Sequence, residues 1–189
     1  ARITTWPKND PENWLYAEDT VSFAQKYGLY PSDASADDFS FSDVYDPVTF
    51  EGARFCEARV WNMYKEFMGD AFADKYWDYA AGYNLTNRMP LWIYPKTRIE
   101  LTSVMSIMRS KYQNTYFDMA AGDVSAQAGP NPTRNSPLTW TSTDGDEYVM
   151  ERPIATPQTG WNFIAQSRSW MPAPLAAVLW FGVDDSSTT

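Results

Sequence analysis

Two kinds of hydrophobic spacing divide this sequence, and they constrain its fold more than any other feature. Over roughly the first two thirds, apolar residues recur every three or four positions, as on one face of a helix. Over the last third they alternate or gather in short blocks, as in strands. Helices first and strands afterwards predict an α+β fold, since each kind of element must bury its apolar side against another layer. No repeat of solenoid length is visible. Of the 189 residues, 44% are hydrophobic and 16% aromatic, enough to pack a core for one domain or a sizeable piece of one.

Within the helical part, residues 18–27 place Ala17, Val21, Ala24 and Tyr27 on one face, with Gly28 placed to end the helix. Residues 31–38 form an acidic, aperiodic loop. It does not read as a calcium loop, because Asp38 stands where that loop needs glycine and Val44 where it needs glutamate. The longest helix is expected over 49–68, introduced by Asp46-Pro47, with Ala53, Cys56, Val60, Tyr64 and Phe67 inward and Gly69 as the stop. A second follows over 71–81, grouping Phe72, Tyr76 and Tyr79 before Gly82. Asn84-Leu85-Thr86 is a glycosylation sequon of a length that arises often by chance. Residues 91–94, between Pro90 and Pro95, read as extended, and Thr102 is placed to cap a helix to about 112 with Val104, Met105 and Met108 inward. Met63 and Met68, like Met105 and Met108, read as core fillers.

Residues 122–137, with three prolines, should be an irregular surface loop. Beyond them, residues 138–140 and 148–150 flank Asp144-Gly145, a hairpin signal. Extended runs are expected over 152–156, 161–167 and 175–183. In the second of these, Asn162, Ile164 and Gln166 alternate with Trp161, Phe163, Ala165 and Ser167, which predicts a sheet with unlike faces.

The composition narrows the chemistry. The chain has no histidine and one cysteine, so it holds no Ser-His-Asp triad, no Cys-His pair, no ordinary zinc site and no internal disulfide. No metal or other cofactor is expected. A formal net charge of −9 argues against nucleic acid as a partner. No apolar run is long enough to span a bilayer, so no membrane partner is expected either.

Cys56, on the helix stripe and between Arg54 and Arg59, reads as a small buried apolar residue rather than a nucleophile. Arg54 sits among apolar neighbours and needs a carboxylate partner, from the protein or from a substrate. Gln158 with Thr159-Gly160, and the stretch Gln166-Ser167-Arg168-Ser169-Trp170, collect groups able to meet amides and carboxylates or to hydrogen-bond a sheet edge. Asp184 and Asp185 are adjacent, so in a strand they point to opposite faces, and a turn or capping role suits them better than a catalytic pair.

The stretches EGARFCEARVW at 51–61, RMPLWI at 88–93, TPQTGW at 156–161, AQSRSWMP at 165–172 and VLWFGVDD at 178–185 carry a family resemblance. In that order they resemble peptidase family C69, the dipeptidases among the N-terminal-nucleophile cysteine hydrolases. The resemblance runs nearly end to end. It implies an αββα sandwich of two antiparallel sheets between helix layers, and hydrolysis of dipeptides. It also implies a nucleophilic cysteine at a mature N-terminus whose own α-amino group is the base, which needs no histidine. That cysteine and the oxyanion-binding asparagine of the family would lie upstream of Ala1, and Cys56 falls in an internal helical motif instead.

The opening Arg2-Ile3-Thr4 reads as the tail of a strand that begins earlier. Residues 1–189 are therefore expected to be the C-terminal portion of one dipeptidase domain. Its partners would be the N-terminal catalytic portion of the same protein and the dipeptide; a homo-oligomer stays open. The resemblance gives Arg54, in Arg54-Phe55, a supporting role at the catalytic site, and makes Gln158 and Arg168 substrate-side residues. Pro157 departs from the family, which commonly has glutamine there. The competing reading is a noncatalytic, aromatic-rich binding or structural module built on the 9 Trp, 12 Tyr and 10 Phe. An independent aspartic-type hydrolase is weaker, for want of a carboxylate pair at convincing spacing.

Overall fold

The computed structural model describes residues 15–119 and 138–188. The expected loop over 122–137 and the expected strand tail at Arg2-Ile3-Thr4 lie outside them. The chain divides into two units, one of residues 1–49 and 90–92, the other of residues 50–89 and 93–189.

In the smaller unit, α1 spans Thr20–Lys26 and α2 spans Phe41–Tyr45. Ala24 is fully buried as its spacing predicts, but Tyr27 is 60% exposed, because α1 ends at Lys26 and Gly28 turns the chain away at φ +72°. The acidic stretch closes into a 3-10 turn, Ala36–Asp38, capped by the Ser35 hydroxyl accepting from the Asp37 amide at 3.1 Å. Phe39 packs edge-on between Tyr30 and Tyr45, and the Tyr45 hydroxyl donates to the Thr20 carbonyl.

The larger unit opens on α3, Phe50–Gly52, continues through a π-helical turn, Ala53–Glu57, and runs on as α4, Ala58–Met68. The expected helix is therefore present, and Ala53 and Tyr64 of its expected stripe are buried, but Val60 and Phe67 are only partly covered and Cys56 is exposed. The Ala58 amide donates to the Ala53 carbonyl, five residues back, so one extra residue is taken up per turn and the later positions rotate. Ala53, Ala58, Trp61, Asn62 and Tyr64 are buried, whereas Cys56 is exposed. The expectation of a buried Cys56 is thus overturned by a change of helical phase.

After Gly69, α5 spans Asp70–Ala80 and packs on α4. The Trp61 indole donates to the Ala73 carbonyl at 2.9 Å, and its ring meets Trp77 at 5.6 Å and Phe117 at 5.5 Å. Tyr64 meets Phe72 at 5.7 Å. Gly82 ends this pair at φ +82°, and a Cβ there would lie 2.5 Å from the Phe50 ring, so both conformation and space require glycine. Residues 91–94 form no strand; the flanking prolines offer no amide to a ladder.

Next comes α6, Leu101–Met108, whose N-cap is Glu100 rather than Thr102 and whose buried residue is Ile107. Val104, Met105 and Met108 are only partly covered. The helix stops short of 112 because Tyr112 and Asn114 take left-handed conformations, φ 67° and 59°.

Among the described residues, the strands form two separate antiparallel pairs. β1, Thr139–Thr141, and β2, Glu147–Val149, make the expected hairpin, turning at Gly145 with φ +91°. β3, Trp161–Ser167, pairs with β4, Ala177–Val183, from Trp161 opposite Val183 to Ser167 opposite Ala177. The expected run over 152–156 buries Pro153, Ala155 and Thr156 yet forms no strand. Pro153 lacks an amide, Ala155 donates to the Ser110 carbonyl at 3.0 Å, and the Arg152 carbonyl accepts from the Tyr112 hydroxyl at 2.8 Å. Its backbone is satisfied by neighbouring loops instead of a ladder. The mixture of helices and small antiparallel sheets is α+β, as the spacing of the sequence predicts.

Candidate functional site

The π-helical turn turns Arg54 inward. Its Nη2 donates to Glu151 Oε1, with the two side chains 14% and 3% exposed. The guanidinium carbon lies 5.0 Å from the Phe117 ring centroid and 5.9 Å from that of Phe50, distances at which an aromatic face attracts a cation. Burial pulls the Arg54 pKa down, and electrostatic interaction with the Tyr83 and Tyr112 side chains opposes the shift. An arginine so placed remains a cation at neutral pH. A buried carboxylate is its counterion, and loss of either partner would strand the other. One turn on, Glu57 Oε2 accepts from the Tyr79 hydroxyl at 2.8 Å.

This pair fastens the stretch around Glu151, in which Met150 and Ala155 are fully buried, against the helices. That stretch leads into the turn bearing Gln158, where the Thr159 amide donates to the Thr156 carbonyl at 3.0 Å and the Thr156 hydroxyl donates to Gln158 Oε1. Gln158 is thus an exposed turn residue and not part of a strand. Arg168 follows β3 directly. Its amide donates to the Ala176 carbonyl at 2.6 Å and its Nη2 to the Leu175 carbonyl at 2.5 Å, so it closes the connection between β3 and β4.

Arg54, Gln158 and Arg168 therefore occupy three separate local arrangements, and none lines the clefts described next. Among the described residues, a cleft of about 580 Å³ lies along α4, α6 and the turn after it. Its lining includes Asn62, Lys65, Arg109, Ser110 and Asn114, with Asn62 Nδ2 donating to the Ser110 hydroxyl at 2.7 Å. It offers hydroxyls and cations but neither a thiol nor an imidazole. A smaller cleft of about 200 Å³ lies between α6 and one face of the β3–β4 sheet, against Met105, Met108, Asn162, Ile164 and Trp180.

Cys56 is exposed on the outer side of the π-helical turn, and the chain has no histidine to serve it as a base. Among the described residues, no three His, Cys, Asp or Glu side chains gather where they could hold a metal ion, and no helix is long and apolar enough to cross a membrane.

Sequence reasoning missed the carboxylate that Arg54 meets and a second buried pair, Lys111 Nζ to Asp185 Oδ2 at 3.1 Å. The need of Arg54 for a carboxylate was legible; that Glu151, 97 residues away, supplies it was not. Asp184, at φ 65°, makes the turn after β4, and Asp185 accepts from the Ser187 amide at 2.9 Å, in keeping with a turn role. Desolvation raises the Asp185 pKa, but the Ser187 amide, the Lys111 hydrogen bond and the Lys111 charge outweigh it and hold the carboxyl below its ordinary range.

The model of peptidase family C69 matches residues 1–189. A curated relative, named a probable dipeptidase, from Salmonella dublin, is 25% identical over 177 residues, covering 94% of this chain and 34% of the relative. The chain thus spans about a third of the length of that relative. No solved structure matches the chain.

Proposed function

The chain belongs to peptidase family C69, and we propose that it forms the C-terminal portion of a cysteine dipeptidase. The observation that carries this reading is the family match along the whole chain, combined with a relative named for dipeptidase activity that is about three times as long. In this reading the nucleophile is an N-terminal cysteine of the same polypeptide, outside these 189 residues. Its thiol gives its proton to its own α-amino group and attacks the amide carbon of a dipeptide. Backbone and asparagine N–H groups hold the oxyanion. The protonated amine returns the proton to the leaving amino acid as the C–N bond breaks, and water then hydrolyses the thioester. The lack of any imidazole in the chain to serve Cys56 as a base supports a nucleophile located elsewhere.

Within that scheme this chain supplies support. Arg54, neutralised by Glu151, holds the π-helical turn against the stretch that leads to the Gln158 turn. Gln158 and Arg168 lie on the substrate side, and the β3–β4 pair belongs to one sheet of an αββα sandwich. The N-terminal catalytic portion and the dipeptide are the partners. The test is turnover of a panel of dipeptides by the full-length polypeptide and by the 189-residue chain. Cleavage by the first and none by the second is expected; cleavage by the short chain alone would overturn the proposal.

A further inference from the structure

The cleft along α4, α6 and the turn after it has a volume of about 580 Å³, the size of a small-molecule site. The chain carries 24 acidic and 15 basic residues, yet the charged side chains lining this cleft are Lys65, Arg109 and one carboxylate, Glu66. The local balance is thus cationic in an acidic protein. Lys65 meets Asp70 at 3.1 Å, but Asp70 is 85% exposed, and an ion pair so open to water yields readily. Glu66 makes no ion pair or hydrogen bond among the described residues. Within the lining, the buried Asn62 donates to Ser110 Oγ at 2.7 Å, and the Tyr112 amide donates to the same oxygen at 3.2 Å. With both lone pairs taken, the Ser110 hydroxyl can act only as a donor. The turn itself is strained, since Tyr112 and Asn114 take left-handed conformations, φ 67° and 59°. That is costly for a ring-bearing residue. It persists because Tyr112 is fully buried and its hydroxyl donates to the Arg152 carbonyl at 2.8 Å. Strain held in place by its surroundings clusters at ligand sites.

We propose that this cleft binds a free α-amino acid in its zwitterionic form. Arg109, Lys65 and the Ser110 hydroxyl meet the α-carboxylate, and Glu66 meets the α-ammonium. Met105 and Ile107, the apolar part of the lining, take the side chain. Two cations alone would suit any small anion. The carboxylate of Glu66 in the same lining selects a ligand that carries both charges, because a phosphate or a dicarboxylate would meet it with repulsion. The assignment stands without the dipeptidase reading. On that reading, free amino acids are what hydrolysis releases.

Hydrogen–deuterium exchange read by mass spectrometry on the full-length polypeptide tests this, with L-leucine as the probe. Leucine at about ten times its Kd should slow amide exchange over residues 102–115 about tenfold, because opening of the turn must then expel the ligand. Leucinamide, which lacks the carboxylate, and 4-methylpentanoate, which lacks the ammonium, should leave exchange close to that of the free protein. Arg109→Gln and Glu66→Gln, both at exposed positions and so compatible with folding, should each abolish the effect of leucine. No slowing by leucine up to its solubility limit would overturn the inference. So would equal slowing by either analogue, since a single charge would then suffice, or slowing that survives both substitutions, since leucine would then be held elsewhere. No arm reads turnover. Failure here leaves the dipeptidase reading standing, and a polypeptide that cleaves no dipeptide can still show the protection.

Discussion

The α4–α5 pair and the β3–β4 sheet are both rich in aromatic residues, yet they treat them in opposite ways. In the helical pair Trp61 is 2% exposed and Tyr79 fully buried, and their polar atoms meet the Ala73 carbonyl and Glu57. In the sheet, Trp161, Phe163 and Phe181 are 59%, 47% and 61% exposed. The helices find cover from neighbours near in sequence, since Trp61 meets Trp77 sixteen positions on. The sheet has an equally apolar face and no layer over it among the described residues. Phe117, fifty-six positions beyond Trp61, completes the cover of the first region at 5.5 Å, and no described residue does the same for the outer face of the second.

The largest effect should come from breaking the covered region. Trp61→Ala would remove a buried ring and leave the Ala73 carbonyl without its donor, costing about 3–5 kcal/mol in denaturant unfolding. Phe163→Ser in the same 189-residue chain should cost less than about 1 kcal/mol, because much of that ring is already in water. Comparable losses for the two variants would erase the contrast between the regions.

An intermediate effect belongs to the link between the end of α6 and the end of the sheet. Lys111–Asp185 pairs the turn after α6 with the turn after β4, and the Ser186 hydroxyl donates to the Met108 carbonyl beside it. The folded pKa of Asp185 lies below its unfolded value, which is about 3.9. The stabilisation is therefore fully present above about pH 4 and is lost as pH falls through the folded pKa. Lys111→Met should cost about 2 kcal/mol at neutral pH by stranding a carboxylate that is 6% exposed. It should also flatten the acid limb of the stability–pH curve. A curve parallel to that of the unsubstituted chain would show that the pair contributes nothing.

The smallest effect concerns Cys56. A thiol on the outer side of the π-helical turn should react with an aromatic disulfide reagent in the native chain at a rate close to that in denaturant. Cys56→Ser should change stability by no more than about 0.5 kcal/mol. A thiol that reacts only after unfolding would restore the stripe read from the sequence.

Much of the fold was legible, for reasons that differ by element. The helices at Thr20–Lys26 and Asp70–Ala80 and the hairpin around Gly145 follow from local periodicity and from glycines at positive φ. β3 was legible to the residue because its alternation runs unbroken over Trp161–Ser167. The stretch after Glu151 was misread as a strand because a short apolar block such as Pro153-Ile154-Ala155 looks the same whether a ladder or a loop satisfies the backbone. Cys56 was misplaced because a π-helical turn leaves no mark in the spacing until the residues beyond it are seen to have rotated. At the candidate site, a buried arginine in search of a carboxylate could be foreseen. Its partner could not, and neither could the separation of Arg54, Gln158 and Arg168 into three arrangements.

By itself the sequence determined the α+β order of elements and the family. It also denied the chain any histidine-dependent chemistry. These are properties of composition, period and motif, which act over a few residues and need no partner. Only the tertiary structure decided that Glu151 neutralises Arg54, that Cys56 faces outward and that one side of the β3–β4 sheet lies open. Each depends on which distant segments meet, a free-energy balance of burial against desolvation that no local window of sequence contains.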